Sequence, residues 1–258
     1  MSVPLTPPKA QVFYPALHEK TFARDLDEVF AGSNDHHKNF IVRMVLAISL
    51  QKLDTQYAGL ADSYYLAAMQ HFEEVVRTKD LRTLQCLILI GQYSLLTPIR
   101  TNVYHVIGIA VRICQQLGYC DEKTLTRDAS EVDALTLDMR RRASWIIATM
   151  EYGLAHSMGR PNGFAKGEDL MDVGYFADVA DQNITEQGIQ PGPPADDKLV
   201  AIHMCKMRMC QAEIRRTLYE KKKAEPRDHN DPWFAEMDRK LKEWVDSAPE
   251  QPAWCKPW

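Results

Sequence analysis

Residues 139–161 read MRRRASWIIATMEYGLAHSMGRP, and this stretch decides how the chain folds. Met139, Ala143, Ile146, Met150, Leu154 and Met158 recur at steps of three and four. With 3.6 residues per turn, that spacing puts all six on one face of an α-helix. The stripe ends at Gly159-Arg160-Pro161, where glycine can take a left-handed closing conformation and proline cannot continue the helix. The spacing therefore predicts a helix over 139–158 at the centre of the fold, with Trp145 buried beside its stripe. Arg140, Arg141 and Arg142 are consecutive, so they point around that helix and cannot all serve one phosphate surface. Ion pairs between packed helices, together with solvated charge, are their expected use.

The same period continues on both sides. Ile41, Met44, Val45 and Ile48 fit it, as do Leu60, Tyr64, Ala67, His71 and Val75. Leu81, Leu84 and Ile88 lie in a segment from about Asp80 to Leu95 that is apolar nearly all round, which predicts a central, buried helix. Val103, Ile107, Ala110, Cys114 and Leu117 define another, which Gly118 can close. After an acidic linker at 121–133 comes the 139–158 helix; Leu199, Ile202, Cys205, Met209 and Ala212 mark a later one, and Trp233, Met237, Leu241 and Trp244 the last. The 14 prolines gather mainly at 4–15, 191–194 and 249–257, and none falls between Pro15 and Pro98 or between Pro98 and Pro161. Those two spaces are free for long helices. The expected fold is all-α, a multi-helix globular bundle of roughly seven to nine helices with a long irregular connection near 163–195. No fixed-period repeat points to a solenoid. The expected organisation is an N-terminal tail at 1–14, a helical domain at 15–248 and a Pro/Trp-rich tail at 249–258.

Composition narrows the function classes. The chain has 258 residues, 45% hydrophobic, with 31 Lys plus Arg against 35 Asp plus Glu. So apolar a chain can bury enough surface to fold, and a net charge of −4 gives no general attraction to nucleic acid. The longest apolar stretches, Met44–Leu50 and Cys86–Ile90, fall well short of the roughly 18 to 20 residues a membrane span needs. The N-terminus lacks the pattern of a secretory signal, so an intracellular protein is expected. Cys86, Cys114, Cys120, Cys205, Cys210 and Cys255 contain no Cys-x-x-Cys pair and read as reduced core thiols rather than zinc ligands. His36 and His37 beside Asp35 read as exposed or capping residues, and His71 and His105 as core or boundary histidines. The basic run from Lys198 to Lys223 reads as a solvated face. No local catalytic or phosphate-binding motif occurs, so no catalytic, metal-binding or DNA-binding residue and no cofactor is expected in this chain. The 11 methionines suit ordinary core packing or an adaptable apolar pocket. The candidate effector pocket is Met150, Leu154 and Met158, where the small residues Gly153 and Ala155 leave room beside the helix.

Residues 81–120, LRTLQCLILIGQYSLLTPIRTNVYHVIGIAVRICQQLGYC, then 139–161, then EDLMDVGYF at 168–176, resemble the regulatory middle homology region of fungal zinc-cluster transcription factors. The resemblance is carried by the Ala110–Gly118 helix end, by Arg140, Arg141, Arg142 and Trp145, by Gly159-Arg160-Pro161, and by the acidic stretch Asp169–Val173. Tyr64-Tyr65, Ile214–Tyr219 and Leu241–Pro249 extend it. Glu151-Tyr152 stands where the family often has Asp-Arg, and Gly118-Tyr119-Cys120 where it often has Gly-Leu-His. The resemblance implies a nuclear regulator of RNA polymerase II transcription. Its N-terminal six-cysteine zinc cluster binds DNA, and that cluster is absent from this sequence, so the chain is expected to be a fragment or a truncated relative. The implied partners are a transcriptional coactivator or other regulatory protein, a small-molecule effector or a second copy of the chain, with DNA reached only through the missing zinc-cluster domain and no membrane. Two alternatives stay open: a stand-alone helical small-molecule-binding protein or enzyme of secondary metabolism, and a helical scaffold that never touches DNA.

Overall fold

The computed structural model describes residues 13–128, 131–164, 171–220, 226 and 228–250. Among them run ten α-helices: α1 (Glu19–Phe30), α2 (His36–Leu53), α3 (Ala58–Met69), α4 (Phe72–Arg77), α5 (Leu81–Leu96), α6 (Val103–Leu117), α7 (Glu122–Leu125), α8 (Ala134–Met158), α9 (Asp196–Arg215) and α10 (Pro232–Asp246). Most begin on a side-chain cap that accepts an otherwise orphaned backbone N–H of the first turn. Asp35, Asp80, Asp121, Asp133 and Asp231 cap α2, α5, α7, α8 and α10. Gly118 and Gly159 close α6 and α8 with φ of 75° and 65°, in the left-handed region where a side chain is strained.

The core is built around α5, which touches α2, α4, α6 and α8. Its residues from Leu84 to Ser94 are almost all buried, as a helix apolar on every side requires. At Gly91 three helices meet, for a methyl group added there would stand 2.9 Å from Ile107 Cδ1 on α6 and 3.3 Å from Met150 Sδ on α8. The α8 stripe is buried through Met139, Ala143, Ile146 and Met150, and Trp145 is buried beside it.

The structure differs from the sequence expectation in four places. The helix count exceeds nine because the short α4 and α7, of six and four residues, stand as separate elements. The expected single helix through Leu60–Val75 is broken at Gln70-His71, and His71 precedes α4 instead of lying inside a helix. The buried face of α3 is Ala61, Tyr65 and Ala68, one residue round from the Leu60, Tyr64 and Ala67 stripe. Small alanines let α3 press its backbone against α2, while Leu60 is left half-exposed. Finally, the connection after α8 is irregular but not featureless. It holds a 3-10 turn at Asp181–Asn183 and a two-residue antiparallel hairpin, β1 (Ile184–Thr185) with β2 (Gly188–Ile189). Met171, Val173, Phe176, Val179 and Ile184 of this connection are buried.

Candidate functional site

The three consecutive arginines point three ways, and each finds a different acidic partner. Arg140 holds Asp128 with two nitrogens, at 2.6 and 3.1 Å, and lies over the Tyr119 ring. Arg141 pairs with Glu122 of α7. Arg142 is fully buried and donates to Asp138 at 2.7 Å and to Asp181 at 2.6 Å. Asp181 also takes Lys198 Nζ of α9 at 3.0 Å and the backbone N–H of Glu19 at 2.8 Å, while its carbonyl lies 2.7 Å from His18 Nε2. One buried network of two cations and two carboxylates thus joins the start of α1, α8, the 3-10 turn and α9. Burial would raise the Asp181 carboxyl, but the charges of Arg142 and Lys198 hold it well below the usual carboxylate range. Burial, with Arg142 beside it, pushes the Lys198 ammonium down.

The remaining signature residues fix the chain beyond α8. Trp145 donates its indole N–H to the Gly174 carbonyl at 3.0 Å and stacks on Tyr175 with ring centroids 4.6 Å apart. In the acidic stretch, Asp172 accepts the Glu122 N–H through its carbonyl at 2.6 Å; Asp169 and Leu170 lie outside the described residues. Arg160 N–H returns to the Ala155 carbonyl at 3.0 Å around Gly159. Arg215 of α9 closes that end of α8 by donating to the carbonyls of Ala155 and Arg160.

Among the described residues the basic run is therefore not simply a solvated face, which corrects that part of the sequence reading. Lys198 is 3% exposed and ion-paired, Arg215 is spent on α8, and the Arg208 guanidinium lies 3.0 Å from where a Gly153 side chain would begin. Only Lys206 projects plainly into solvent over the Tyr175 ring; Lys221, Lys222 and Lys223 lie outside the described residues.

Arg208 also fills the room expected beside Gly153. Met150 is packed under Gly91, Leu154 is half-buried against the core and Met158 is 48% exposed, so the three do not come together around a hollow. None of them lines the α6 groove or any of three further cavities among the described residues. The largest of these four, about 1010 Å³, is the groove along the outer face of α6 from Tyr104 to Gln116. Phe72 and Val76 of α4 wall one side, and Pro161, Asn162 and Gly163 the other. Glu151 of α8 also lines this groove. It is 5% exposed; Oε1 accepts the Gly163 N–H at 2.9 Å, and Oε2 is buried with no hydrogen-bond partner. Glu151 is one of the two residues at which the sequence departs from the family pattern in this helix, and that departure was the one signal that could have singled it out.

Cys86, Cys114, Cys120 and Cys205 are buried, Cys210 is half-buried, and Cys255 lies outside the described residues. Burial pushes the thiols of Cys86 and Cys114 up, and that of Cys205 to about 11. Among the described residues no three His, Cys, Asp or Glu gather as metal ligands. His37 is buried, contrary to expectation, while the cap belongs to Asp35. His36 is exposed, its Nδ1 3.0 Å from that of His71, and His105 lines the α6 groove. No helix among the described residues is long and apolar enough to cross a membrane.

A helical core whose Arg-Arg-Arg-x-x-Trp and Gly-Arg-Pro elements pin a buried connection defines a class: residues 9–246 match the fungal specific transcription factor domain, and the chain belongs to that family. It is the regulatory domain of a fungal transcription factor. Among known proteins it is 26% identical to the transcriptional activator protein acu-15 of Neurospora crassa, over 71% of this chain and 19% of that protein. It is 26% identical to the pyrimidine pathway regulatory protein 1 of Saccharomyces cerevisiae, over 81% and 24%. It is 23% identical to the positive regulator of purine utilization of Emericella nidulans, over 73% and 23%. The chain thus spans about a fifth to a quarter of the length of these relatives. No solved structure matches it.

Proposed function

We propose that residues 15–248 act as one regulatory unit of a longer nuclear protein, one that controls transcription through contacts with a coactivator or with other parts of its own chain. DNA is reached through a zinc cluster elsewhere in that protein, and the unit itself catalyses nothing. The observation that carries this reading is the family match across 9–246, with relatives named as activators and regulators of transcription. Two further features support it. The signature arginines are engaged within the fold and so serve as scaffold, leaving partner contacts to the surface. Among the exposed apolar side chains, Leu95, Leu96 and Ile99 follow closely on one another at and after the end of α5, next to Arg100, which pairs with Asp62 of α3.

The test is to fuse the chain to a heterologous DNA-binding domain in yeast and read a reporter carrying that domain's sites. Output should differ measurably, in either direction, from that of the DNA-binding domain alone. An unmoved reporter, with the fusion protein present at an undiminished level, would refute the reading.

A further inference from the structure

Inside α6 stands a glycine that the fold itself does not need. Gly108 is the sixth of fifteen residues, and a helix interior with glycine is less stable than one with alanine. The glycines inside α5 and α8 have a reason, since a methyl at Gly91 or Gly153 would stand 2.9 Å from Ile107 or 3.0 Å from Arg208. A methyl at Gly108 would meet no neighbour within 4 Å, and the helical backbone there suits any residue. What sets Gly108 apart is that it lines the α6 groove. Lys79 is a second oddity of the same groove. Among the described residues it is the only non-glycine with positive φ, 51°, where a side chain is strained.

The groove exposes charge of one sign. From Tyr104 to Gln116 it spans roughly 18 Å at 1.5 Å per helical residue, about three turns of a helix laid alongside. Phe72, Val76, Ile109 and Ile113 give it apolar walls, and Ile109 is 49% exposed. Its exposed charges are Lys79 and Arg112, and the exposed His105 can add only positive charge. Glu151, the one acid in its lining, is 5% exposed and turns Oε1 to the Gly163 N–H. The acids of α4, Glu73 and Glu74, stand outside the lining, paired with Arg77. A bare glycine backbone lets a second helix approach closely, and a helix docked in a groove sets its apolar stripe inward with its charges at the rim.

We propose that the α6 groove docks an acidic amphipathic helix of about three turns, contributed by a separate regulatory protein. The helix crosses over Gly108, lays its apolar stripe on Ile109 and the α4 wall, and sets Asp and Glu side chains beside Lys79 and Arg112. Gly108 keeps the backbone bare for that crossing, and Lys79 holds its charge at the rim in spite of a strained backbone. This deepens the coactivator form of the regulatory reading, on which it rests, by giving the contact a place and a chemistry.

The test pans the full chain against a phage library of roughly 16-residue peptides randomised at every position, long enough for three turns and their caps. Enriched peptides should carry apolar residues at i, i+3 or i+4 and i+7, and a net negative charge. Synthesised and titrated into ¹⁵N-labelled chain, they should shift the amides of Gly108, Ile109 and Arg112, with affinity falling as salt rises. Two substitutions separate docking from folding. Gly108→Ala should raise the melting temperature by about 1–4 °C, and Lys79→Gly should not lower it. Binding should nevertheless weaken, about tenfold for the methyl placed at the crossing and about threefold for the lost rim charge. A more stable chain that binds worse has not misfolded. Enrichment of no peptide, or of neutral or basic ones, would show the proposal wrong, as would amide shifts confined to other faces. So would a Gly108→Ala chain that melts lower or binds as the native one does. A reporter that responds while no peptide docks here would remove the groove alone, and docking beside a silent reporter would remove the regulatory reading alone.

Discussion

Replacing Arg142 with Met should destabilise the domain more than any other single change at its surface or core charges. The guanidinium is fully buried between Asp138 and Asp181, whose side chains are 1% exposed, and Lys198 is the one other cation of the network. Met fills much of the same volume but leaves two buried carboxylates facing one ammonium. Breaking a buried pair by removing one partner costs about 3–5 kcal/mol, chiefly through the uncompensated charge left behind. At about 2–4 °C per kcal/mol for a chain of this size, the melting temperature should fall by about 6–20 °C. The pH dependence gives a second reading. Asp181 is depressed in the folded state, so its contribution is present above the unfolded carboxyl value of about 3.9 and is lost as pH falls towards the folded one. Removing Arg142 takes away the largest opposite charge, so the loss of stability below about pH 5 should flatten in Arg142→Met. Calorimetric melts of both proteins from pH 3 to 7 measure both effects. Adding Asp181→Asn to Arg142→Met should recover part of the loss, because the orphaned carboxylate becomes neutral. An Arg142→Met melting temperature within about 2 °C of the native one at neutral pH, with an unchanged acid slope, would refute the reasoning.

Gly91→Ala should cost about 1–3 kcal/mol in urea denaturation, since its methyl meets Ile107 at 2.9 Å and Met150 at 3.3 Å in a packed core. Among the described cysteines, alkylation at pH 8 followed by peptide mass spectrometry should label Cys210 first, leaving Cys86, Cys114 and Cys205 unmodified until the chain unfolds; early labelling of Cys86 would contradict its burial. Titrated with duplex DNA, the chain should bind weakly and lose that binding steeply with salt, given its net charge of −4 and the engagement of Lys198 and Arg215 within the fold. Tight, sequence-selective binding at physiological salt would overturn that expectation.

The helices were legible where an apolar stripe is continuous and a cap residue marks its end, as in Met139–Met150 before Gly159 or Val103–Cys114 before Gly118. The face of α3 was not. Hydrophobicity ranks Leu60 above Ala61, while close approach of two backbones selects the alanine. The charged residues were harder still, because a side chain's type says nothing of a partner distant in sequence. Lys198 and Arg142 meet at Asp181, which lies 39 residues beyond Arg142 inside a segment with no periodic signal. From the sequence, Lys198 was one more cation in a basic run.

The irregular connection explains why the signature takes the form it does. A segment without regular structure that runs through a core brings backbone N–H and C=O groups that no helix or sheet ladder satisfies, and each must find another partner. Here α7 and α8 supply them. Gly174 N–H goes to Glu122, which Arg141 holds in place; Gly174 C=O goes to Trp145; Ala177 N–H goes to Asp138, which Arg142 holds in place. The arginines, the tryptophan and their acidic partners thus do for residues 171–195 what a ladder does for a strand. A substitution at Arg141 or Trp145 should therefore release the connection before it melts the helices, and hydrogen exchange at Gly174 and Ala177 is the place to see it.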